Sequence, residues 1–188
     1  FGWVRYIQPN SDASTKAINR GTIFYAVNGV SLNTSNYINL LNQDNYTLNL
    51  AEFDNGAITP NGNSVSLTKT DYSENPVYIR KVFEEGTKKI GYLMYNGFFG
   101  NFETDLNNAF GFFQSEGITH LILDLRYNSG GSVNTATRLA SMITGQFNNQ
   151  VFAKQQWNYK IENLINNPEQ LLNRFTNSLG NGNGINHL

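Results

Sequence analysis

The sequence predicts an α/β domain built on a parallel strand–helix–strand unit, preceded by a smaller domain made mostly of β-strands. The first observation is an apolar run, Leu121–Leu125, which ends in the polar turn Asn128–Gly131 and opens onto an amphipathic segment, Ser132–Ile143. The second is an earlier strand pattern, Lys88–Tyr95, followed by a helical pattern over 102–115. This order indicates parallel pairing through a right-handed crossover. The third is a set of short alternating segments in the first part of the chain, separated by turns rich in Asn and Gly.

The first part of the chain, residues 1–70, is predicted to alternate strands and short helices. Alternating apolar and β-branched residues predict the strands, and helix formers behind a Ser-Asp cap candidate predict the first helix. Pro76 keeps the residue before it extended, so the turn cluster around it marks the domain boundary. The predicted strands are Trp3–Ile7, Thr22–Val27 and Tyr46–Phe53, the helices 11–20 and Tyr37–Leu41, the hairpin turn Asn28–Gly29, the loop Asp54–Ser64 and the boundary Asp71–Pro76.

The second part, residues 76–188, is predicted to begin with a β-hairpin and to continue with the parallel unit. Two strand patterns flank a Gly-containing turn, which is a hairpin signal. The continuous apolar run before the Gly-Gly turn is typical of a strand covered on both faces. The predicted elements are the strands Val77–Phe83 and Lys88–Tyr95, the helix 102–115, the strand 119–126, the helix 132–143, the strand Gln150–Gln156 and the helix Asn167–Phe175.

Composition and charge exclude several classes of function. The net charge of −1 provides no basic stripe for nucleic acid. No apolar run approaches the roughly 18–20 residues needed to span a bilayer. The chain has no cysteine, which excludes thiolate catalysis and Cys-ligated zinc, and its two histidines, His120 and His187, are too far apart for a metal cluster. We therefore predict no metal, no cofactor, no nucleic-acid partner and no transmembrane segment in this chain.

The Gly-Gly turn carries the main chemical signal. A buried strand, two glycines and a helix N-terminus bring unpaired backbone N–H groups to one point, where they can hold a phosphate or the oxyanion of an acyl-transfer intermediate. A simple strand-to-helix turn is the alternative for Gly130–Gly131 taken alone. Binding of a phosphate or of acyl-CoA, as in crotonase-like folds, has less support because no lysine follows the glycines as it does in a P-loop.

Three segments together resemble the carboxyl-terminal processing (tail-specific) serine peptidases. Asp-Leu-Arg-x-Asn-x-Gly-Gly over 124–131 is similar to the core motif of that family, and Lys89–Phe98 is similar to its core strand and following loop. Phe1–Val4, with Ser11-Asp12-Ala13 and Arg20–Gly29, resembles the PDZ domain that these peptidases carry. The resemblance implies a crotonase/ClpP-like core, of which residues 76–188 are the first part, and a PDZ-like peptide-binding domain over 1–70 that is cut at its N-terminus.

The resemblance also implies a catalytic apparatus that is only half present. Family members cleave peptide bonds with a serine, in a Ser-Ala-Ser-type turn, activated by a later lysine or in some cases by a histidine. This chain contains no such turn, so we expect it to be an internal piece that ends before the nucleophile and base and is inactive alone. Ser129 occupies a variable motif position, and Ser132 is placed as a helix N-cap, so neither is predicted to be the nucleophile.

The residues of the motif are expected to build the electrophilic half of the site. The backbone N–H of Gly130 or Gly131, with a slight preference for Gly130, is predicted to point toward the scissile carbonyl oxygen. Asp124 and Arg126 alternate on one strand and therefore share a face. They are predicted to be a structural pair that fixes the turn rather than direct participants. Asn128 is expected to bond the local backbone.

The start of the chain predicts a second function, peptide recognition. In PDZ domains a Gly-Φ-Gly-Φ loop donates backbone N–H groups to a terminal carboxylate, and the peptide then adds as a strand. Here Phe1, Gly2, Trp3 and Val4 would form the loop, with its first glycine before residue 1, while Tyr37 and Leu41 would line the other wall. The alternative is that these aromatic and apolar residues are only a small core.

The function predicted from these features is a serine-type endopeptidase of the C-terminal processing class. Its partner would be a polypeptide with a free C-terminus, recognised through the PDZ-like domain. The alternative is a non-catalytic PDZ-type peptide-binding protein with a peptidase-like scaffold. The resemblance implies a location in the bacterial cell envelope, the periplasm or an exported compartment; the substrate sequence is not predicted.

Overall fold

A computed structural model describes residues 1–180 and 182–188. The chain divides into two compact units, unit 1 over Phe1–Glu74 and unit 2 over Asn75–Leu188. Among the described residues, no helix is long and apolar enough to cross a membrane.

Unit 1 is a five-stranded antiparallel sheet with one short helix. The sheet order is β1-β2-β4-β5, and β3 pairs with β2. A small core lies against it, formed by Ile18, Phe24, Val27, Leu48, Leu50 and Val65. The elements are β1 (Gly2–Trp3), β2 (Ile23–Val27), β3 (Val30–Ser31), α1 (Tyr37–Leu41), β4 (Asn45–Asp54) and β5 (Ala57–Thr68).

Two Asn-Gly turns set the hairpins of unit 1. Asn28 and Gly29 have φ values of 51° and 77°, and Asn55 and Gly56 have φ values of 48° and 85°. Positive φ at both central residues is the geometry that matches the twist of the flanking strands, and Asn and Gly are the residues that adopt it most easily. The sequence predicted the first of these turns and missed the second.

Three predictions for unit 1 are wrong. The first strand pairs only over Gly2–Trp3 instead of Trp3–Ile7. The predicted helix over 11–20 is a single 3₁₀ turn, Asp12–Thr15, because Ser and Thr favour local turns and Lys16 is already extended. The predicted loop Asp54–Ser64 lies largely in β5, where Pro60 sits on an edge strand beside a register irregularity, a position in which its missing N–H is tolerated.

Unit 2 contains the parallel strand–helix–strand arrangement. Strands β6 (Val77–Glu85) and β7 (Lys88–Tyr95) form an antiparallel hairpin, and helix α2 (Glu103–Glu116) connects β7 to its parallel neighbour β8 (His120–Asp124). The buried face of α2 packs on β7. The remaining elements are α3 (Val133–Ile143), β9 (Val151–Lys154), α4 (Tyr159–Glu162) and β10 (Leu172–Arg174), of which β9 and β10 pair antiparallel.

The core of unit 2 is apolar and rich in phenylalanine. Apolar residues three or four positions apart on α2 meet the inward-facing residues of β7 and one face of α3. Its buried members are Leu93, Tyr95, Leu106, Ala109, Phe110, Phe113, Leu139, Met142, Leu179 and Ile185. This packing fixes the carboxyl ends of β7 and β8 side by side.

Two predictions for unit 2 are wrong, and two strands are shorter than predicted. Strand β8 ends at Asp124 rather than at residue 126, and β9 is likewise short. Coverage of β8 on both faces is not observed, since β8 lies at the sheet edge and Ile122 remains 50% exposed. The predicted helix Asn167–Phe175 is a 3₁₀ turn over Pro168–Leu171 followed by β10, because pairing with β9 takes the chain out of the helical conformation.

Candidate active site

The Gly-Gly turn joins the end of β8 to the start of α3. Gly130 and Gly131 have φ values of +100° and +132°, which side chains with a Cβ rarely adopt. Ser132 caps the helix, and its Oγ accepts a hydrogen bond from the Thr135 N–H at 3.3 Å. Ser132 therefore has the N-cap position that the sequence predicted for it.

The turn is held against the segment that follows β7. Phe98 N–H donates to the carbonyl of Gly130 at 2.9 Å, and Ser132 N–H donates to the carbonyl of Phe98 at 2.8 Å. A Cβ on Gly131 would overlap the Phe98 carbonyl, whereas a Cβ on Gly130 would meet open space. Close backbone approach therefore requires glycine at 131, and backbone conformation alone favours it at 130.

The two glycine amides differ in their hydrogen bonding. Gly130 N–H donates to Asn128 Oδ1 at 2.8 Å, and Asn128 Nδ2 donates to the carbonyl of Tyr95 at 3.0 Å. Gly131 N–H has no hydrogen-bond partner within the part of the chain that the structure describes. Gly131 is therefore the better candidate donor for an incoming carbonyl oxygen, and the slight preference for Gly130 drawn from the sequence is not supported by this geometry.

Asp124 is the centre of a charged group beneath the turn. Arg126 donates to its carboxylate from Nε at 2.9 Å and from Nη2 at 2.6 Å, and Tyr92 Oη donates at 2.6 Å. The Arg126 hydrogen bonds, followed by that of Tyr92, hold the pKa of Asp124 far below its usual range. The same carboxylate raises the pKa of Arg126 and of Tyr92. These hydrogen bonds connect β7 to the end of β8 through the side chains of Tyr92, Asp124 and Arg126.

A second buried group joins α2 to α3. Glu103 begins α2 and is 9% exposed. Its Oε1 accepts from Thr135 Oγ1 at 2.6 Å, and its Oε2 pairs with Arg138 Nη1. A buried carboxylate needs such partners, because burial of an unpaired charge is costly. This group orients the first two turns of α3 behind the Gly-Gly turn.

The hydrogen bonds of the described residues do not connect the serines of the turn to a general base. In the described residues, neither Ser129 nor Ser132 hydrogen-bonds to a lysine or histidine side chain. The two histidines are engaged elsewhere: His120 Nδ1 is 2.8 Å from Thr119 Oγ1, and His187 Nδ1 is 2.7 Å from the carbonyl oxygen of Ser141. What these residues offer chemically is a backbone donor, without an activated nucleophile.

Unit 1 contains a pocket of about 240 Å³ beside the free edge of β1. Phe1, Gly2, Tyr37 and Leu41 line it, and their role in peptide binding stays a prediction. Trp3, 61% exposed, and Val4, which packs against the core, lie outside it. The further lining residues are Phe24, Leu32, Asn33 and Thr34.

Sequence reasoning missed several residues of these sites. Phe24 stands opposite Gly2 only through the β1–β2 register, and Tyr92 reaches Asp124 only through the β7–β8 register. Glu103 contacts Arg138 across 35 positions of sequence. Local patterns carry no signal for such long-range pairs. Within 1–180 and 182–188, no group of three or more His, Asp or Glu side chains is placed to hold a metal ion.

Part of the chain that includes this turn is similar to known peptidases. Residues 89–178 match the model of peptidase family S41. A curated relative, the carboxyl-terminal-processing protease of Picosynechococcus sp. (strain ATCC 27264 / PCC 7002 / PR-6), is 32% identical over 79 residues, which are 42% of this chain and 19% of the relative.

Two solved structures are similar over most of the chain. An S41 protease from Bacteroides fragilis aligns with a TM-score of 0.68 and 26% identity over 93% of this chain and 46% of its own. The photosystem II D1 C-terminal processing protease aligns with a TM-score of 0.51 and 20% identity over 78% of this chain and 41% of its own. The chain thus spans less than half the length of each of these three relatives.

Proposed function

We propose that this chain is part of a serine peptidase of family S41, of the C-terminal processing class, and supplies one oxyanion donor to its active site. The observation that carries the proposal is the free Gly131 N–H at the junction of β8 and α3. The family match over residues 89–178 includes this turn and supports a protease function.

The proposed chemistry is acyl transfer. A serine hydroxyl attacks the scissile carbonyl carbon, a general base accepts the hydroxyl proton, and the carbonyl oxygen becomes an anion. Gly131 N–H donates to that oxygen, and preorganisation by Phe98 and α3 means that the donor need not rearrange as charge develops. The nucleophile and base belong to sequence other than residues 1–188, so the chain alone is inactive under this proposal.

Unit 1 is proposed to act as a PDZ-like module that selects the polypeptide. A peptide would add as a strand to the free edge of β1 and place its last side chain in the pocket between Gly2 and α1. The apolar lining from Phe1, Phe24, Leu32 and Leu41 favours an apolar terminal residue. Recognition of a free C-terminus follows from this arrangement and is part of the proposal.

An exported or envelope location is also part of the proposal. It is supported by two of the relatives, a cyanobacterial carboxyl-terminal-processing protease and the photosystem II D1 C-terminal processing protease.

A second candidate is a non-catalytic peptide-binding protein with a peptidase-like scaffold. The observation in its favour is that the serines of the turn have no lysine or histidine partner among the described residues. Under this proposal the unit 1 pocket remains functional, and the Gly-Gly turn is a structural junction.

Serine labelling separates the two candidates. The natural protein containing this chain is treated with a fluorophosphonate probe and assayed on a fluorogenic peptide. We expect labelling and hydrolysis by the natural protein, neither by residues 1–188 alone, and no change in either with Ser129→Ala or Ser132→Ala. Absence of both reactions in the natural protein would favour the binding protein. Labelling of residues 1–188 that Ser129→Ala or Ser132→Ala abolishes would place the nucleophile in the turn and contradict the proposal.

A further inference from the structure

A polar pocket of about 290 Å³ lies along α3 in unit 2. Helix α3 contributes one wall and the β10 region contributes the other. The lining residues are Asn134, Thr137, Arg138, Leu172, Asn173, Arg174, Thr176, Ser178 and Gly180. None of the residues that sequence analysis assigned to a site lies in this pocket.

The lining carries positive charge without a carboxylate. Arg138 and Arg174 both face the pocket, and no Asp or Glu is among the residues that line it. Each arginine is held in place from outside the lining, Arg138 by Glu103 and Arg174 by Glu169 at 2.7 Å. Arg174 Nη1 also donates to the carbonyl of Asn149 at 3.1 Å. Both guanidinium groups are therefore fixed before any ligand arrives.

Two further features distinguish the residues at this pocket. Asn173 Nδ2 is buried and has no hydrogen-bond partner among the described residues, a state that is rare in native proteins. Gly180 has a φ of +83° and no side chain. A Cβ at this position would lie only 2.7 Å from Arg138 Nη2, so glycine leaves room for the guanidinium group. Because of this space, the guanidinium lies at the pocket wall.

The pocket is close to the proposed oxyanion turn along the helix. Asn134 lies in the first turn of α3, and Arg138 follows about one turn later. At about 1.5 Å of rise per residue, Arg138 is roughly 9 Å along the axis from Ser132. An extended peptide spans about 3.3 Å per residue, so roughly three residues bridge this distance.

We propose that this pocket, named here the Arg138–Arg174 pocket, binds a carboxylate of the polypeptide substrate about three residues from the scissile bond. The inference rests on the proposed peptidase function and deepens it by naming the chemistry of the substrate. Planar guanidinium groups match the two oxygens of a carboxylate, and charge-assisted hydrogen bonds of this kind are the strong ones. The carboxylate belongs either to an Asp or Glu side chain, with the terminal carboxylate held in unit 1, or to the C-terminus of the peptide itself, in which case unit 1 does not hold that group.

Residue-resolved titration tests the pocket without requiring catalysis. The side-chain NH₂ signals of Asn173 are followed by NMR in the natural protein during addition of four probes: N-acetyl-trialanine as the free acid, its amide, and amidated versions carrying Glu or Gln at the third position. We expect a saturable shift with the free acid if the terminal carboxylate binds, and with the Glu amide if a side chain binds. The matching neutral probes should give none.

Two variants separate the pocket from general charge effects. Arg174→Gln removes a guanidinium whose ion pair is exposed, and we expect it to weaken binding by about tenfold or more. Arg80→Gln is the matched control, because Arg80 stacks on Phe112 and lies outside the lining. Arg138 is left unchanged, since its loss would leave buried Glu103 unpaired.

The outcomes are decisive for the pocket and distinct from those for the peptidase. Equal responses to acid and neutral probes, or equal affinities for Arg174→Gln and Arg80→Gln, overturn the carboxylate assignment. If the natural protein is not labelled at a serine but still binds the carboxylate, the peptidase proposal is overturned and the carboxylate assignment of the pocket stands. A shift that responds to Tyr37→Ala in unit 1 would assign the carboxylate to the other pocket and also overturn the inference.

Discussion

Gly130 and Gly131 are identical neighbours, but their amide groups have different surroundings. The side chain of Asn128 accepts a hydrogen bond from the Gly130 N–H and donates one to the carbonyl of Tyr95. Gly131 lies close to the Phe98 carbonyl, and its own N–H has no hydrogen-bond partner among the described residues. One amide is therefore structural and the other is the candidate donor.

Substitution of the two glycines separates these roles. In the active natural protein, Gly131→Ala is expected to lower kcat by about 100-fold or more, because the added Cβ meets the Phe98 carbonyl and displaces the donor. Gly130→Ala, the matched control, meets open space and is expected to cost about 1–3 kcal/mol of stability through its positive φ, with a smaller loss of kcat. Kinetics at equal folded fraction provide the measurement. A larger loss of kcat in Gly130→Ala than in Gly131→Ala would contradict the assignment of Gly131 as the donor.

At the level of elements, β7 and β8 are joined by more than their ladder. Tyr92 on β7 donates a hydrogen bond to Asp124 at the end of β8, and Arg126 donates to the same carboxylate. The ionised form of Asp124 is therefore favoured in the folded state, so its folded pKa lies below the unfolded value of about 3.9. Its stabilising contribution is fully present above the unfolded pKa and is lost as the pH falls through the folded pKa.

Tyr92→Phe should expose this linkage. Removal of the hydroxyl donor raises the pKa of folded Asp124 and lowers the free energy of unfolding by about 1–2 kcal/mol at pH 7. Because the Arg126 hydrogen bonds remain, the folded pKa of Asp124 in the variant still lies below the unfolded value of about 3.9, and the difference between the two proteins should shrink as the pH falls through that folded pKa. Urea unfolding at several pH values measures it, and Tyr159→Phe, at a 70% exposed tyrosine, is the control. A difference that does not change with pH would contradict the assigned role of the carboxylate.

The elements that sequence predicted well are those with a strong local pattern. The Leu121–Leu125 run, the amphipathic α3 and the Ser132 cap all lie within a few residues of the features that define them. Strand β5 was missed because its Asn, Gly and Pro residues locally favour a loop, while pairing with β4 across the Asn55–Gly56 turn decides the conformation. The Gly131 donor and the unit 1 pocket depend on the positions of Phe98 and Phe24, which only the strand registers determine.

At the scale of the whole molecule, the two roles proposed above, peptide recognition and oxyanion stabilisation, fall in separate compact units. Unit 1 holds the apolar pocket and unit 2 holds the Gly-Gly turn. A small domain of this size buries only a modest core, so unit 1 depends strongly on the few apolar residues that close it. Under the proposal, substrate selection and chemistry can therefore be altered independently.

Peptide titration tests the role proposed for unit 1. An apolar-tailed peptide is titrated onto the natural protein as the free acid and as the amide. We expect the amide to bind about tenfold or more weakly, because the terminal carboxylate is the group that the loop is proposed to hold. Tyr37→Ala, in the pocket, should weaken binding of the free acid. Ile38→Ala, on the same helix but outside the pocket lining, should not. Equal affinity for acid and amide would leave unit 1 as a spacer.

The exposed side of β8 has a consequence for the behaviour of these residues in solution. Within the described part of the chain, β8 pairs only with β7, and Ile122 and Leu125 remain exposed beside its unpaired backbone. Such an edge is a template for adding a strand from another molecule. With a net charge of only −1, little long-range repulsion opposes that encounter. We therefore expect residues 1–188 on their own to associate through this edge as their concentration rises, without prior unfolding.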